Sequence, residues 1–377
     1  MRRTLIALTL TVPLVASTIA VAGASTVTTP VVVAGSLASI TGSASQYGVS
    51  QARGASLAAA QSGTGGSPRA RLILADDQSN NDMGRNQMIA FTGTRVGAVI
   101  GPTLSGVAAL ADPVAVASGI PVLAVTNTTL DITAAGPTVW RICLGENQMI
   151  PASVTYARTT KGVRTAALVS VTGDAYSEGA AAQFRTTAAA QGITLVADIS
   201  MPQGSSTAPS VLATATATAA LPQAIFFAAR DTDAINLLAA SSDFTGIKVG
   251  GNGYNTPTVI TASGASANGL IVSASWNPSK SDAASRAFVT AYARRYPGDQ
   301  ADAFAAQAYA GVQVLRAAVA IGNGTSARAV QRGLVRMHSA KTVLGTIRFP
   351  GNSREATYPA TVQQVSAGVL KPTSATG

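Results

Sequence analysis

The chain has 377 residues, of which 47% are hydrophobic and only 11% charged, and its formal net charge is +10. This composition excludes an intrinsically disordered protein, and the length is sufficient for two domains of ordinary size. Lysine and arginine are scattered, without a basic run or interleaved aromatic residues, so a solvated cationic surface is favoured over nucleic-acid binding.

The N-terminus has the pattern of a secretory signal peptide. Met-Arg-Arg is followed by an apolar run over 5–22, and Ala-Gly-Ala at 22–24 offers a cleavage site between small residues. We predict a signal peptide over 1–24, and its removal lowers the net charge to +8. No later segment is expected to span a membrane, so the mature protein is predicted to be exported and soluble, either periplasmic or otherwise extracytoplasmic. Cys143, the only cysteine, is expected to be a buried apolar residue.

Strand-like and helix-like segments alternate along the chain, in two series that meet near residue 143. Short apolar runs indicate buried strands, and alanine-rich stretches between them indicate helices. Strands are predicted at 30–35, 70–75, 96–100, 122–125, 139–143, 165–171, 193–199, 224–228, 247–250, 269–276, 344–349 and 361–365. Helices are predicted at 48–61, 82–92 (capped by Asp82), 107–118, 148–159, 174–191, 210–220, 231–241, 282–295, 301–321 and 327–337. This alternation predicts an α/β protein with two doubly wound parallel sheets, one in each of two lobes.

Polar residues cluster just after the predicted strands. In open α/β sheets ligands bind at that edge, and two such edges that face each other form a cleft. These polar residues are Asp76, Asp77, Thr103, Ser105, Asn127, Thr128, Asp174, Tyr176, Arg230, Asp231 and Asn252.

Catalytic and metal-binding motifs are scarce. His338 is the only histidine, and we find no P-loop, nucleophile elbow or dinucleotide fingerprint. No cofactor or metal is therefore expected. An exported hydrolase that uses the cleft is an alternative, but no base lies near a serine or cysteine in the sequence. The adjacent pair Asp76 and Asp77 would point to opposite faces of a strand, so turn formation or interlobe hydrogen bonding is favoured over metal binding.

The remaining chemistry is hydrogen bonding to a small ligand. Ser105 stands at the start of a predicted helix, where the ordinary role of a serine is to cap the helix. Thr128 follows the next strand, and the two hydroxyls with nearby backbone N–H groups could hold one carboxylate. Tyr47 and Tyr176 come from opposite lobes and could cover the ligand from both sides.

Five motifs in order resemble one family. The chain is similar to the periplasmic solute-binding proteins of the branched-chain amino-acid (Leu/Ile/Val) ABC importer type, which have the type I two-lobed fold. The motifs are GSLASITG at 35–42 with QYG at 46–48, VIGPTLSG at 99–106, GIPV at 119–122 with TNT at 126–128, DAYSEG at 174–179 (serine for a glycine at 177) and GGNG at 250–253.

The resemblance implies a lobe division and a mode of action. The first lobe would contain 30–142 and 276–349, and the second 143–275 and 350–377. The chain would cross between the lobes near 141–145, 273–276 and 349–358. Such a protein would act as a monomer that captures a small solute by lobe closure and delivers it to a membrane permease. A ligand sensor of the same fold is the alternative.

The resemblance also implies residue roles. Ser105 and Thr128 would bind the ligand carboxylate, with backbone contacts from Asn127, and Tyr47 and Tyr176 would cover the ligand. The other expected ligand-binding residues are Thr103, Leu104, Arg230, Asp231 and Asn252.

One position departs from the family. Asn252 stands where amino-acid binders carry an acidic residue for the ligand's ammonium group. Asp231 or Asp174 could substitute for that acid, and an inward Arg230 would favour an acidic ligand. The ligand is therefore left open between an amino acid, branched-chain or other, and a small carboxylate or amide that lacks the ammonium group.

Overall fold

The computed structural model describes residues 29–63 and 67–373, so the predicted signal peptide lies outside the described residues. The first sheet is fully parallel, with strand order β2-β1-β3-β4-β5. Its strands are β1 (Val31–Ala38), β2 (Arg69–Asp76), β3 (Ala98–Ile100), β4 (Val122–Ala124) and β5 (Val139–Arg141). β3 and β4 are buried along their whole length, as expected for apolar runs at the centre of a parallel sheet.

Three helices connect the strands of this first lobe. They are α1 (Ser45–Ala60), α2 (Asn81–Thr92) and α3 (Ser105–Ala117). The prediction that Asp82 caps α2 is wrong. Asn80 is the cap and accepts a hydrogen bond from the N–H of Met83, while Asp82 lies in the first turn.

The second large sheet is parallel except at one edge. The remaining strands are β6 (Thr165–Thr172), β7 (Thr194–Pro202), β8 (Ala224–Ala228), β9 (Ile247–Gly250), β10 (Ile271–Ala274), β11 (Ser339–Thr342), β12 (Gly345–Arg348), β13 (Thr361–Ser366) and β14 (Val369–Pro372). The order in the second sheet is β14-β13-β10-β9-β8-β6-β7. Strand β13 pairs antiparallel with both of its neighbours, β10 and β14. The predicted strand at 344–349 joins neither large sheet, because it pairs with β11 in a hairpin.

The other helices cover the second sheet and return to the first lobe. They are α4 (Glu146–Thr159), α5 (Ala175–Ala190), α6 (Ala208–Thr216), α7 (Asp231–Ala240), α8 (Pro257–Ser263), α9 (Ala283–Arg295), α10 (Ala303–Gly322) and α11 (Ala327–Arg336). Short 3₁₀ helices lie at Ile132–Ala135, Asn252–Tyr254, Gly264–Ala267 and Pro350–Asn352. Helix α8 was not predicted from the sequence, although Thr256 caps it and Pro257 begins it, as is usual at helix starts.

α10 is the central helix of the first lobe's core. It packs along α1, and its buried side chains share one apolar cluster with β1, β3 and α9. It is 20 residues long and, by length and mean hydropathy alone, could cross a membrane, which was not expected from the sequence. Most of the helix is buried inside the protein, which is typical of a core helix.

The three predicted crossing segments lie side by side. The backbone of Arg141 pairs with the segment around Glu355, and the N–H of Leu144 donates to Ser275 Oγ at 3.4 Å. Arg141 is fully buried, forms an ion pair with Glu355 at 2.7 Å and also donates to the carbonyl of Thr129. The crossing segments are therefore joined to one another by backbone and side-chain hydrogen bonds.

Candidate functional site

A cavity that is partly open to solvent lies where the carboxyl ends of the two sheets face each other. The first-lobe wall consists of Tyr47, Thr103, Leu104, Ser105, Thr126 and Phe304. The second-lobe wall consists of Tyr176, Arg230, Asn252 and Gly253. Seven of the ten predicted ligand-binding residues line this cavity, whereas Asn127, Thr128 and Asp231 do not. No Asp or Glu among the described residues belongs to the lining.

The loop before Ser105 is held rigidly by its neighbours. Gly101 has φ +109°, and a Cβ there would lie 2.1 Å from the carbonyl oxygen of Leu37, so only glycine fits. Thr103 Oγ1 accepts from the N–H of Ser39 at 3.0 Å and donates to Gln51 Oε1 at 2.9 Å. The Thr103 hydroxyl therefore fixes the loop and is already occupied.

Ser105 is the first residue of α3 and does not cap it. The cap position is Leu104, which has extended backbone angles, and no side chain caps the helix. The first N–H groups of α3 therefore lack both intrahelical and side-chain acceptors. Ser105 Oγ has no hydrogen-bond partner among the described residues and lines the cavity. The capping role is therefore wrong. The Ser105 hydroxyl and the free N–H groups can instead donate hydrogen bonds to an acceptor in the cavity.

Asn127 and Thr128 lie outside the lining. Asn127 Nδ2 donates to the Thr103 carbonyl at 3.3 Å, and Thr128 Oγ1 donates to Glu146 Oε1 at 3.2 Å. Thr126 lines the cavity instead, with its hydroxyl 2.9 Å from the Thr103 carbonyl oxygen. The structure thus corrects the expected pairing of Ser105 with Thr128, because the chain bends after β4 and turns Thr128 toward Glu146.

Tyr47 joins the two lobes. Its hydroxyl donates to the carbonyl of Gly253 at 2.7 Å and accepts from the N–H of Asp231 at 2.9 Å. Its ring packs on Phe304, with centroids 4.9 Å apart. Gln46, the residue before it, contacts Asp231 at 3.4 Å. Tyr47 therefore lines the cavity and connects α1 to the loops of the second lobe.

Tyr176 covers the cavity from the second lobe and contacts a buried acid. Its hydroxyl accepts from the N–H of Gly253 at 2.7 Å. Glu146 is fully buried, and its Oε1 also accepts from the N–H of Asn252 at 3.3 Å. Burial raises the pKa of Glu146 to about 7, although hydrogen bonds from Asn252, Thr128 and Tyr176 oppose the rise.

Arg230 reaches the cavity with its charge already paired. Its Nε and Nη2 donate to Asp174 Oδ1 at 3.0 and 2.9 Å, and Nη1 pairs with Asp231. Burial raises the pKa of Asp231 to about 6, and Arg230 opposes that rise. Arg230 is therefore not a free cation for a second anionic group. Neither aspartate belongs to the lining, so neither replaces the missing acid at position 252.

Asn252 is buried in the lining, with its amide held on one side. Its Oδ1 accepts from Asn255 Nδ2 at 3.0 Å. Its Nδ2 has no hydrogen-bond partner among the described residues. The second-lobe wall therefore presents an amide N–H donor to the cavity.

Several residues singled out by the sequence lie elsewhere. Asp76 accepts from the N–H groups of Ile40 and Thr41, and Asp77 accepts from that of Ser79, so the pair forms turns, one of the two expected roles. Cys143 is buried as predicted, and burial raises its pKa to about 12. Within 29–63 and 67–373, no group of three or more His, Cys, Asp or Glu could hold a metal ion.

Four residues in or beside the site were not predicted from the sequence: Glu146, Thr126, Gly253 and Phe304. An acidic residue in the first turn of a helix is usually explained by the helix dipole, so Glu146 carried no distinct signal. Phe304 lies in an alanine-rich helix with no other mark of a site. Thr126 was part of a quoted motif, and only the bend after β4 decides which threonine faces the cavity.

Comparisons with known proteins agree with this architecture. A family model described as periplasmic binding protein matches residues 31–369. The Leu/Ile/Val-binding protein BraC3 of Rhizobium johnstonii is 27% identical over 326 residues, which is 84% of this chain and 86% of that protein. A leucine binding protein, LivK, from Thermotoga maritima superposes with a TM-score of 0.82 at 20% identity, covering 91% of this chain and 98% of that one. A solute binding protein of an ABC transporter from R. palustris, in complex with benzoate, superposes with a TM-score of 0.80 at 20% identity. The match covers 91% of this chain and 95% of that one.

Proposed function

The chain belongs to the periplasmic binding protein family, and from this premise we propose that it captures a small carboxylate between its lobes and delivers it to an ABC permease. The observation that carries the proposal is the free end of α3. Ser105 Oγ and the first N–H groups of the helix converge on the cavity without a side-chain cap. Such groups bind anions well, because the helix dipole and the N–H donors act together.

The ligands named for similar proteins share one group. The curated relative is named for leucine, isoleucine and valine, and the two solved neighbours are described as leucine-binding and benzoate-bound. Leucine and benzoate differ in every feature except a carboxylate beside an apolar body. A site that holds a carboxylate on α3 and an apolar body against Leu104 and Phe304 would bind the two features that these ligands share.

Lobe closure is the proposed working motion. We place the lobe division at 30–142 with 276–349, and 143–275 with 350–377. The packing of α10 on α1 and the pairing of β13 with β10 support this division. The direct contacts of Tyr47 with Gly253 and Asp231 are made across the cleft, so they would form on closure and break on opening.

We further propose that the protein is exported with its signal peptide removed, acts as a monomer and catalyses no reaction. Binding, closure and release to a permease account for the site without a chemical step. The benzoate-bound neighbour is a transporter protein, and this favours transport over the sensor alternative.

The test is titration calorimetry with acid and amide pairs. Benzoate is compared with benzamide, and leucine with leucinamide, because each pair changes the carboxylate and preserves the body. At least one acid is expected to bind, with its amide weaker by about tenfold or more, the effect of losing charged hydrogen bonds. Equal binding of acid and amide, or no binding by any acid, would contradict the proposal.

A further inference from the structure

The orientation of the Asn252 amide is fixed by a chain of buried side chains. Asn255 Nδ2 donates to Asn252 Oδ1 at 3.0 Å and to the backbone carbonyl of Ser273 at 2.6 Å. A carbonyl oxygen can only accept, so this contact identifies the nitrogen of Asn255. Because Asn255 presents its nitrogen, Asn252 must present its oxygen to it.

The far end of the chain is fixed in the same way. The N–H of Ser279 donates to Asn277 Oδ1 at 2.8 Å, and Asn277 Nδ2 donates to Gln363 Oε1 at 2.6 Å. Gln363 Nε2 then donates to Asn255 Oδ1 at 2.6 Å. All four amide side chains are buried. Each is oriented by its neighbour, and backbone groups determine the polarity at both ends.

Asn252 Nδ2 is consequently left facing the cavity as a donor. The lining hydroxyls of Tyr47, Thr103, Thr126 and Tyr176 are already hydrogen bonded within the protein. Among the described lining side chains, Ser105 Oγ and Asn252 Nδ2 are therefore the uncharged polar atoms without a protein partner. One belongs to each wall of the cavity.

We propose that this cavity selects small carboxylates that carry a hydroxyl or carbonyl oxygen, and that it rejects the corresponding amino acids. The inference rests on the proposed function, in which the carboxylate binds at Ser105. An acceptor oxygen on the ligand satisfies the Asn252 N–H, whereas an ammonium group would place donor against donor. An unpaired ammonium in a closed cavity also loses its hydration without a counter-charge.

The nearby acids do not supply that counter-charge from the lining. Asp174 and Asp231 are paired with Arg230. Glu146 Oε1 accepts from the N–H of Asn252 and from Thr128. None of the three belongs to the cavity lining.

The first experiment compares matched ligands on the wild-type protein by calorimetry. The pairs are leucine with 4-methyl-2-oxopentanoate, alanine with pyruvate, and phenylalanine with phenylpyruvate. In each pair that gives measurable binding, the 2-oxo acid is expected to bind about tenfold or more tightly, since a site built around a donor rejects a ligand that lacks the acceptor. Tighter binding of the amino acid would overturn the inference.

The second experiment reverses the polarity at one position. Asn252→Asp preserves the oxygen that accepts from Asn255 and replaces the inward donor with an acceptor. The ratio of 2-oxo-acid affinity to amino-acid affinity is expected to fall by about thirtyfold or more, because the new carboxylate accepts a charged hydrogen bond from the ammonium group and no longer donates to the oxo group. Because Glu146 lies beside position 252, the same variant is also measured with Glu146→Gln, so that the new acid cannot share a proton with it. An unchanged preference in both backgrounds would overturn the inference.

A matched control is the same substitution outside the cavity. Asn80 is exposed and caps α2, and aspartate is also a good cap. It lies on the outer cleft, a second groove between the lobes lined by Ser43, Asn80, Gly106, Glu178 and Gln203, among others. Asn80→Asp adds the same charge and should leave the preference unchanged, and a shift equal to that of Asn252→Asp would overturn the inference.

The two proposals fail differently. If amino acids bind more tightly than their oxo analogues, the carboxylate proposal stands and the selectivity inference falls. Benzoate is included because it has no oxygen beyond those of its carboxylate. Binding of benzoate without binding of any 2-oxo acid would likewise overturn only the selectivity inference, and no binding by any carboxylate overturns both proposals.

Discussion

The two walls of the cavity are built by different means. The first-lobe wall presents Ser105 and the start of α3, and these donors come from one short loop. The second-lobe wall presents Asn252, whose polarity depends on Asn277 and Gln363, distant in sequence and joined by the fold. Two buried acids also lie behind this second wall, where Glu146 and Asp231 have raised pKa values. Recognition of a carboxylate thus depends on local chain geometry, whereas selectivity and pH response depend on tertiary structure.

The strongest test of this contrast is the pH dependence of stability. The pKa of Glu146 is about 7 in the folded state, against an ordinary value of 4.5. The folded protein therefore holds more protons between these values, and its free energy of unfolding falls as pH rises through them. Glu146→Gln should remove about 3 kcal/mol of this decline, as measured by urea unfolding at pH 4.5 and pH 8.

The dependence of the unfolding free energy on pH is compared between wild type and Glu146→Gln, and the difference between the two slopes is due to Glu146. Asp231 and Asp302 have pKa values raised to about 6 and contribute in the same direction in both proteins. Glu178 is an exposed glutamate on the same lobe, so Glu178→Gln is the matched control for the loss of one carboxylate. Parallel pH profiles for wild type and Glu146→Gln would show that Glu146 does not carry the dependence.

The next effect concerns the first-lobe wall. Ser105→Ala removes the unpartnered hydroxyl and should weaken binding of every carboxylate by about 10- to 100-fold, the range for a charged hydrogen bond. The ratio of the affinities for 2-oxo acids and amino acids should not change, because Asn252 is unaltered. The measurement is calorimetry with the ligand pairs above.

The unfolding free energy without ligand separates binding from folding in that variant. Because no side chain caps α3, Ser105→Ala should leave it unchanged. Ser43, an exposed serine on the outer cleft, provides the control Ser43→Ala. A loss of stability with no loss of affinity would return Ser105 to a purely structural role.

A smaller effect is expected at the contact between the lobes. Tyr47→Phe preserves the ring on Phe304 and removes the hydroxyl that bonds to Gly253 and Asp231. Those backbone groups are solvated when the lobes separate, so the change should favour the open form and weaken binding by about tenfold. Small-angle X-ray scattering with ligand should show a larger fraction of open molecules.

Tyr309→Phe is the matched control, since the Tyr309 hydroxyl bonds to Gln61 at the C-terminal end of α1, the opposite end from Tyr47. Equal affinities for Tyr47→Phe and wild type would mean that the cross-lobe bonds do not contribute to closure.

Much of the architecture and part of the site could be predicted from the sequence. Alternating apolar runs and polar strand ends indicated the sheet edge at which Ser105, Tyr47 and Tyr176 line the cavity, because strand direction brings these loops to one edge. The strand at 361–365 was predicted, but its antiparallel pairing with β10 and the strand β14 were not, since a strand's direction depends on which neighbour it meets. The position of Glu146 and the chain of buried amides that orients Asn252 depend on contacts between residues more than 80 positions apart. No local sequence pattern contains such contacts.

Thr128 gives the smallest effect and marks the limit of the first-lobe wall. The sequence paired it with Ser105, but its hydroxyl donates to Glu146 at 3.2 Å and it does not line the cavity. Thr128→Val should therefore change ligand affinity by less than about threefold while lowering the free energy of unfolding by about 1 kcal/mol, the value of one hydrogen bond. Thr126→Val is the comparison, because Thr126 lines the cavity and supports the Thr103 loop, and it should weaken binding more. If Thr128→Val instead lost affinity as strongly as Ser105→Ala, the carboxylate would be held from two strand ends, and the first-lobe wall would extend to residue 128.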